Sequence, residues 1–177
     1  MRVLHHYQLS ASARFIRLVL AERGLVFLPK IEIPWERNDA FLSLNPAGDV
    51  PVLVAEDGLV VSGGTVIAEY IEETEPASTT DLLWGEAPMR AEIRRLVQWF
   101  EFKFNREVGG PLVSERVIKR FSGSGDISSS VIRAARVICK FIWIISTGCQ
   151  IKVIGWLARD CHWLIWQLRR ICLCSIF

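Results

Sequence analysis

The first 136 of the 177 residues contain no cysteine, and nowhere does the chain hold the roughly 18 consecutive uncharged apolar residues that a membrane-spanning helix needs. The first absence excludes a disulfide framework for most of the protein. The five cysteines that follow, Cys139, Cys149, Cys161, Cys172 and Cys174, are irregularly spaced, so a reducing cytoplasm is the expected compartment. The apolar stretches 141–145 and 153–158 are flanked or separated by Lys140, Gln150 and Lys152, which argues against a membrane anchor. Met1 to Tyr7 lacks the apolar segment and small-residue cleavage site of an export signal. A marked charge of one sign is also missing. With 21 Lys+Arg against 19 Asp+Glu, the net charge of +2 excludes both an acidic disordered tail and the basic excess of a nucleic-acid binder.

That small excess is unevenly placed. Residues 1–136 carry 16 basic and 18 acidic side chains, whereas 137–177 carry five and one, together with Trp143, Trp156, Trp163 and Trp166 of the seven tryptophans. The first part reads as ordinary folded protein and the last 41 residues as something different in kind.

Val3 to Tyr7 has the pattern of a short buried strand. Ser10 to Gly24 follows as a helix with a Ser N-cap and a Gly stop, and Phe15, Leu18, Val19 and Glu22 recur at helical spacing. Val26 to Ile33 reads as a second strand, with Phe27 and Pro29 on one face and Leu28 and Lys30 on the other. Trp35 to Leu44 supplies a short helix or helical loop, closed by the turn Asn45-Pro46-Ala47-Gly48. Pro51 to Val61 is a hairpin turning at Glu56-Asp57-Gly58, and Thr65 to Glu73 a helix with Val66, Ile67, Tyr70 and Ile71 facing inward. This alternation predicts a small α/β domain over residues 1–76. A polar linker over 77–87 leads to a helical domain over 88–177. That domain opens with a long helix, Pro88 to Val108, in which Ile93, Val97, Phe100 and Phe104 share a face.

Three segments together, Leu4 to Leu18, Leu44-Asn45-Pro46-Ala47-Gly48-Asp49-Val50-Pro51-Val52-Leu53 and Val66 to Ile71, resemble the glutathione S-transferase superfamily. The resemblance implies a thioredoxin-like first domain, an all-helical second domain and a homodimer. It also implies a cis Val50–Pro51 bond, with the Val50 backbone pairing to an extended glutathione. Trp35-Glu36-Arg37, Phe41 to Ala47, Trp99-Phe100, Glu107 to Arg120 and Ile132 to Arg136 are similar to an alphaproteobacterial branch of that superfamily, the FtsZ-localised proteins. Members of that branch are associated with binding the division protein FtsZ, which makes FtsZ the expected partner. The likeness runs to about residue 136.

A transferase of this kind needs a hydroxyl or thiol at the start of its first helix, where amide donors and the helix dipole favour a thiolate. Ser10 stands there as the candidate catalytic residue and Ser12 as a second candidate; a plain N-cap, worth about 1 kcal/mol, accounts for Ser10 equally. The family also carries an acidic residue followed by Ser just before the helix that begins near Thr65, and these hold the γ-glutamyl end of glutathione. This chain has Gly63-Gly64 instead. Losing two charge-assisted hydrogen bonds of roughly 1.5–3 kcal/mol each predicts an affinity lower by about a hundredfold or more. Glutathione is thus at most a weak co-substrate, expected at Ser12, Val50, Pro51, Gly63 and Gly64.

For a partner, Trp35 with Glu36 and Arg37 offers an aromatic anchor, unless Trp35 merely covers the sheet. Glu115, Arg116, Lys119 and Arg120 form either a docking surface or a solvated helix face. His5 and His6, adjacent on a strand, point to opposite faces without a third ligand in range, and Cys172 and Cys174 lack zinc-site spacing, so no metal or resident cofactor is expected.

From Val137 the family pattern fails, returning briefly at Ile154-Gly155-Trp156-Leu157. A shifted reading frame would explain this. With suitable codons, Trp163 to Ile171 read one base earlier becomes Ala-Asp-Leu-Ala-Ala-Ala-Ala-His-Leu, close to the capped core-helix start of the family's second domain. The helical domain is then incomplete. Three functional readings stay open: a non-catalytic FtsZ-binding protein, a glutathione transferase acting on small electrophiles, and a degraded gene product whose folding is impaired.

Overall fold

A computed structural model describes residues 1–75, 81–123 and 125–142. Four strands form one mixed sheet in the order β2-β1-β3-β4, where β1 is Arg2–His6, β2 Phe27–Ile31, β3 Val52–Val54 and β4 Val60–Ser62. β1 and β2 are parallel, with Arg2 opposite Phe27 and His6 opposite Ile31. A parallel pair requires a crossover, which α1 (Ala11–Glu22) supplies. β3 runs antiparallel to both β1 and β4, and the β3–β4 hairpin turns at Gly58, whose φ of +87° is one that glycine adopts without strain.

Ala13, Ile16, Val19 and Leu20 form the buried face of α1, which packs against Ile67 and Ile71 of α3 (Gly64–Thr74). Of the face expected from spacing, only Val19 is fully enclosed; Phe15 and Leu18 are half-buried and Glu22 is exposed. The helix is turned so that Ala13, Ile16 and Leu20 join Val19 in the interior. Val66, expected inward on α3, lies 56% exposed. In β2 the expected alternation also fails, since Leu28, Pro29, Lys30 and Ile31 are all exposed, as befits an edge strand. Leu4, Ile16, Leu20, Val52, Leu53, Ile67 and Ile71 are sealed between sheet and helices, and each such side chain contributes roughly 1.5–3 kcal/mol.

Two buried polar pairs fasten this core. Arg23 pairs with Glu72, joining the end of α1 to α3, and Glu72 also accepts the backbone N–H groups of Leu82 and Leu83, each at 3.2 Å. His5 Nδ1 lies 2.8 Å from Glu32 Oε1, both side chains being enclosed.

After α2 (Asp39–Leu44) and α3, the chain re-enters a helix at α4 (Ala87–Gln98). Wider turns with i→i+5 bonding follow over Trp99–Gly109, then α5 (Gly110–Val113), a second wide stretch over Ser114–Ile118, and α6 (Lys119–Ser122). Pro111 gives a reason for the widening, because it removes an N–H from the ladder and crowds the preceding turn. The chain is helical again from 129 to 142.

By contacts, two compact units part after Glu101, within this helical run. Residues as far as Glu101 belong to the first unit, to which both α4 and the turn after it are bonded: Arg94 Nε of α4 donates to Glu69 at 2.7 Å, and Glu101 meets Ser12. In the second unit Phe104, Val108, Leu112, Ala135, Cys139 and Ile142 are buried, while Phe102, Phe121, Val137 and Phe141 face outward. Among the described residues no helix is long and apolar enough to cross a membrane. Of the stretch expected to be frame-changed, 137–177, residues 143–177 lie outside the described residues.

Candidate functional site

The site is built from the 45–51 loop, the first turns of α1 and α3, and the helical stretch that carries Glu101. Asn45 organises the first loop, its Nδ2 donating to the Asp49 carbonyl at 2.8 Å while its Oδ1 accepts from the Ala47 N–H at 3.3 Å. This delivers the chain into Val50–Pro51, whose peptide bond is cis, and into β3. The Pro51 carbonyl then accepts from the Gly63 N–H at 3.0 Å, which holds the start of α3 beside the cis bond. Gly63 sits at φ +93°, in the region favouring glycine, and offers α3 no capping side chain. Gly64 is buried.

Ser12 completes the corner from the first turn of α1. Pro51, Gly63, Gly64 and Ser12, proposed from sequence for one ligand, are thus brought together with Val50 adjoining. Ser10 has a different job: its Oγ accepts from the Ala13 N–H at 3.2 Å, making it the N-cap of α1.

A residue that the sequence did not single out closes this corner. Glu101 accepts a hydrogen bond from Ser12 Oγ through Oε1, and a Cβ placed on Gly64 would run into both atoms. Burial raises the proton affinity of the Glu101 carboxyl above that of an ordinary glutamate, an effect that the Ser12 hydrogen bond partly opposes. No sequence signal separates Glu101 from the other helix charges, since its partner lies 89 positions away.

On the other side of β1, Trp35 is 46% exposed and meets Tyr7 edge-on, with ring centroids 5.2 Å apart. Glu36 and Arg37 are exposed beside it, Arg37 in the left-handed region at φ 49°. In the second unit the charged cluster divides. Arg120 is exposed and Arg116 and Lys119 are half-buried, but Glu115 is enclosed and withdrawn from any docking surface. Its Oε2 accepts from the Ser128 N–H at 2.8 Å and from Lys119 Nζ at 2.9 Å, and these bonds lower its pKa. The charge run therefore contains an internal fastener.

His5 and His6 are both buried, and among the described residues no three His, Cys, Asp or Glu side chains are grouped to hold a metal. His5 instead bonds Glu32 and stacks on Phe41 at 5.7 Å. Burial, with help from Arg17, lowers the pKa of His6.

The family model for the glutathione S-transferase N-terminal domain matches residues 9–74. A solved glutathione S-transferase from Rhodospirillum rubrum F11 is 46% identical, with a TM-score of 0.73 over 90% of this chain and 68% of that one. The chain belongs to the glutathione S-transferase family. It is also similar to FtsZ-localized protein A of Caulobacter vibrioides (strain NA1000 / CB15N), 41% identical over 138 residues, which make up 76% of this chain and 60% of that protein. The structure of FzlA from C. crescentus is 39% identical, with a TM-score of 0.74, covering 79% of this chain and 62% of that one. The chain therefore spans less than two thirds of the length of these two relatives. Within the glutathione S-transferase fold, Gly63-Gly64 and the inward Glu101 set the character of the corner at α3.

Proposed function

We propose that this protein is a non-catalytic member of the glutathione S-transferase family that binds FtsZ in the bacterial cytoplasm and acts in cell division, working as a homodimer. The observation carrying this reading is the 41% identity to FtsZ-localized protein A, which extends over 138 residues and so beyond the domain common to the family. The corner chemistry supports it: Ser10 caps its helix, Ser12 is bonded to Glu101, and neither position 63 nor 64 offers a side chain to a ligand. Trp35, half-exposed with Glu36 and Arg37 around it, is the proposed anchor for the partner, with Arg116, Lys119 and Arg120 as a second contact.

A second reading is favoured by one observation, the 46% identity to a protein described as a glutathione S-transferase. In that case Ser10, at the positive end of α1, stabilises the glutathione thiolate, and the Val50 backbone pairs with the peptide. The two readings separate in one comparison. Co-sedimentation with FtsZ polymers, weakened by Trp35→Ala, together with no conjugation of a generic electrophile, is expected. Conjugation abolished by Ser10→Ala, with no co-sedimentation, would establish the enzyme instead.

A further inference from the structure

The corner formed by Ser12, Gly63 and Gly64 has the donors to hold a small carboxylate: one hydroxyl and the first N–H groups of an 11-residue helix that no N-cap side chain serves. It already contains one carboxyl group, the protein's own. We propose that Glu101 is an internal plug, occupying the space that Gly64 leaves open and so keeping the carboxylate of a glutathione-like ligand out of this corner. The inference rests on the reading that the chain keeps its family's fold without its glutathione chemistry, and it supplies a physical cause for that loss.

Three observations converge on it. The place where a Gly64 Cβ would stand is taken by Glu101 Oε1 and Ser12 Oγ, so the glycine and the inward glutamate are two halves of one arrangement. Gly64 does not have the positive φ of its neighbour Gly63, so its backbone does not require glycine; the space does. The Ser12 hydroxyl, the one side-chain donor in the corner from α1, is committed to Glu101. An arriving carboxylate would have to displace Glu101 from Ser12 and from the space beside Gly64.

Titration calorimetry with reduced glutathione on the full chain tests the plug. Glu101→Ala empties the corner and is expected to bind glutathione at least about tenfold more tightly than the wild type, since it frees a hydrogen bond to a charged group. Glu101→Gln fills the same volume and should stay close to the wild type; a gain equal to that of Glu101→Ala would overturn occupancy as the cause. Should Glu101→Ala fail to give a native circular dichroism spectrum, Gly64→Ser serves in its place. That serine restores a hydroxyl as well as denying Glu101 the space, so it is read against Gly64→Ala, whose methyl denies the space without adding a donor and is expected to bind more tightly than the wild type by itself. Equal affinity of the wild type and the folded, unplugged variant, at whatever level, overturns the plug. Micromolar binding by the wild type overturns the non-catalytic reading instead, so the two failures are distinct.

Discussion

Two regions of the first unit treat buried charge in opposite ways. Where α1 ends against α3, the guanidinium of Arg23 meets the carboxylate of Glu72, and on the sheet His5 meets Glu32. At the start of the same two helices, Glu101 is turned inward with a serine hydroxyl as its hydrogen-bond partner and a glycine making room. The first arrangement matches each buried group with an opposite or complementary one and fastens elements far apart in sequence. In the second, burial works against the charged form of the group, as the raised proton affinity of Glu101 records. A fold selected for stability alone has no use for such a carboxyl, and residues that oppose stability concentrate where binding is decided.

The contrast is broken most severely at the matched pairs. Glu72→Ala leaves Arg23, whose side chain is 2% exposed, without its carboxylate, and also strips the acceptor from Leu82 and Leu83. A loss of about 3–5 kcal/mol is expected in urea denaturation, and replacing both partners by Arg23→Met with Glu72→Leu should recover much of it. Glu32→Ala orphans the His5 ring nitrogen in a dry site, for an expected loss of roughly 1–3 kcal/mol. Ser10→Ala removes an N-cap bond and should cost about 1 kcal/mol by the same measurement, whatever the residue does for catalysis.

Much of the first unit was legible from residue order because its signals are local. Ser10 as an N-cap, the hairpin turn at Gly58 and the helix after Gly63-Gly64 all depend on neighbours within a few positions. The cis bond at Val50–Pro51 came from the family likeness and is present in the structure. What escaped depends on distant pairing or on a shifted helical phase. His5 with Glu32 and Ser12 with Glu101 lie 27 and 89 positions apart. Past Trp99 the turns widen, so a wheel drawn at 3.6 residues per turn loses its phase, and Glu115 rotates inward although its charged neighbours suggest a solvated face. The amphipathic count placed Val66 inward, yet α3 is buried along Gly64, Ile67 and Ile71, and one step around the cylinder is enough to leave the neighbour in solvent.

The plugged corner yields the smallest effect but the most diagnostic one, because its sign is opposite to that of the pairs. Glu101 holds its proton more tightly in the folded chain than an unfolded glutamate would, so the folded state binds more protons over the interval between the two pKa values. Its stabilising contribution is complete below the unfolded value, near 4.3, and is lost as pH rises through the elevated folded value. Glu101→Gln has no such proton to lose. Relative to the wild type it should raise the urea midpoint at about pH 8, with the advantage shrinking as pH falls toward about 4, where the wild-type carboxyl is already neutral. Glu32→Gln, made as the control, should lower the midpoint at neutral pH, since that carboxylate belongs to a matched pair. Equal destabilisation by both substitutions would dissolve the contrast and make Glu101 one more fastener of the fold.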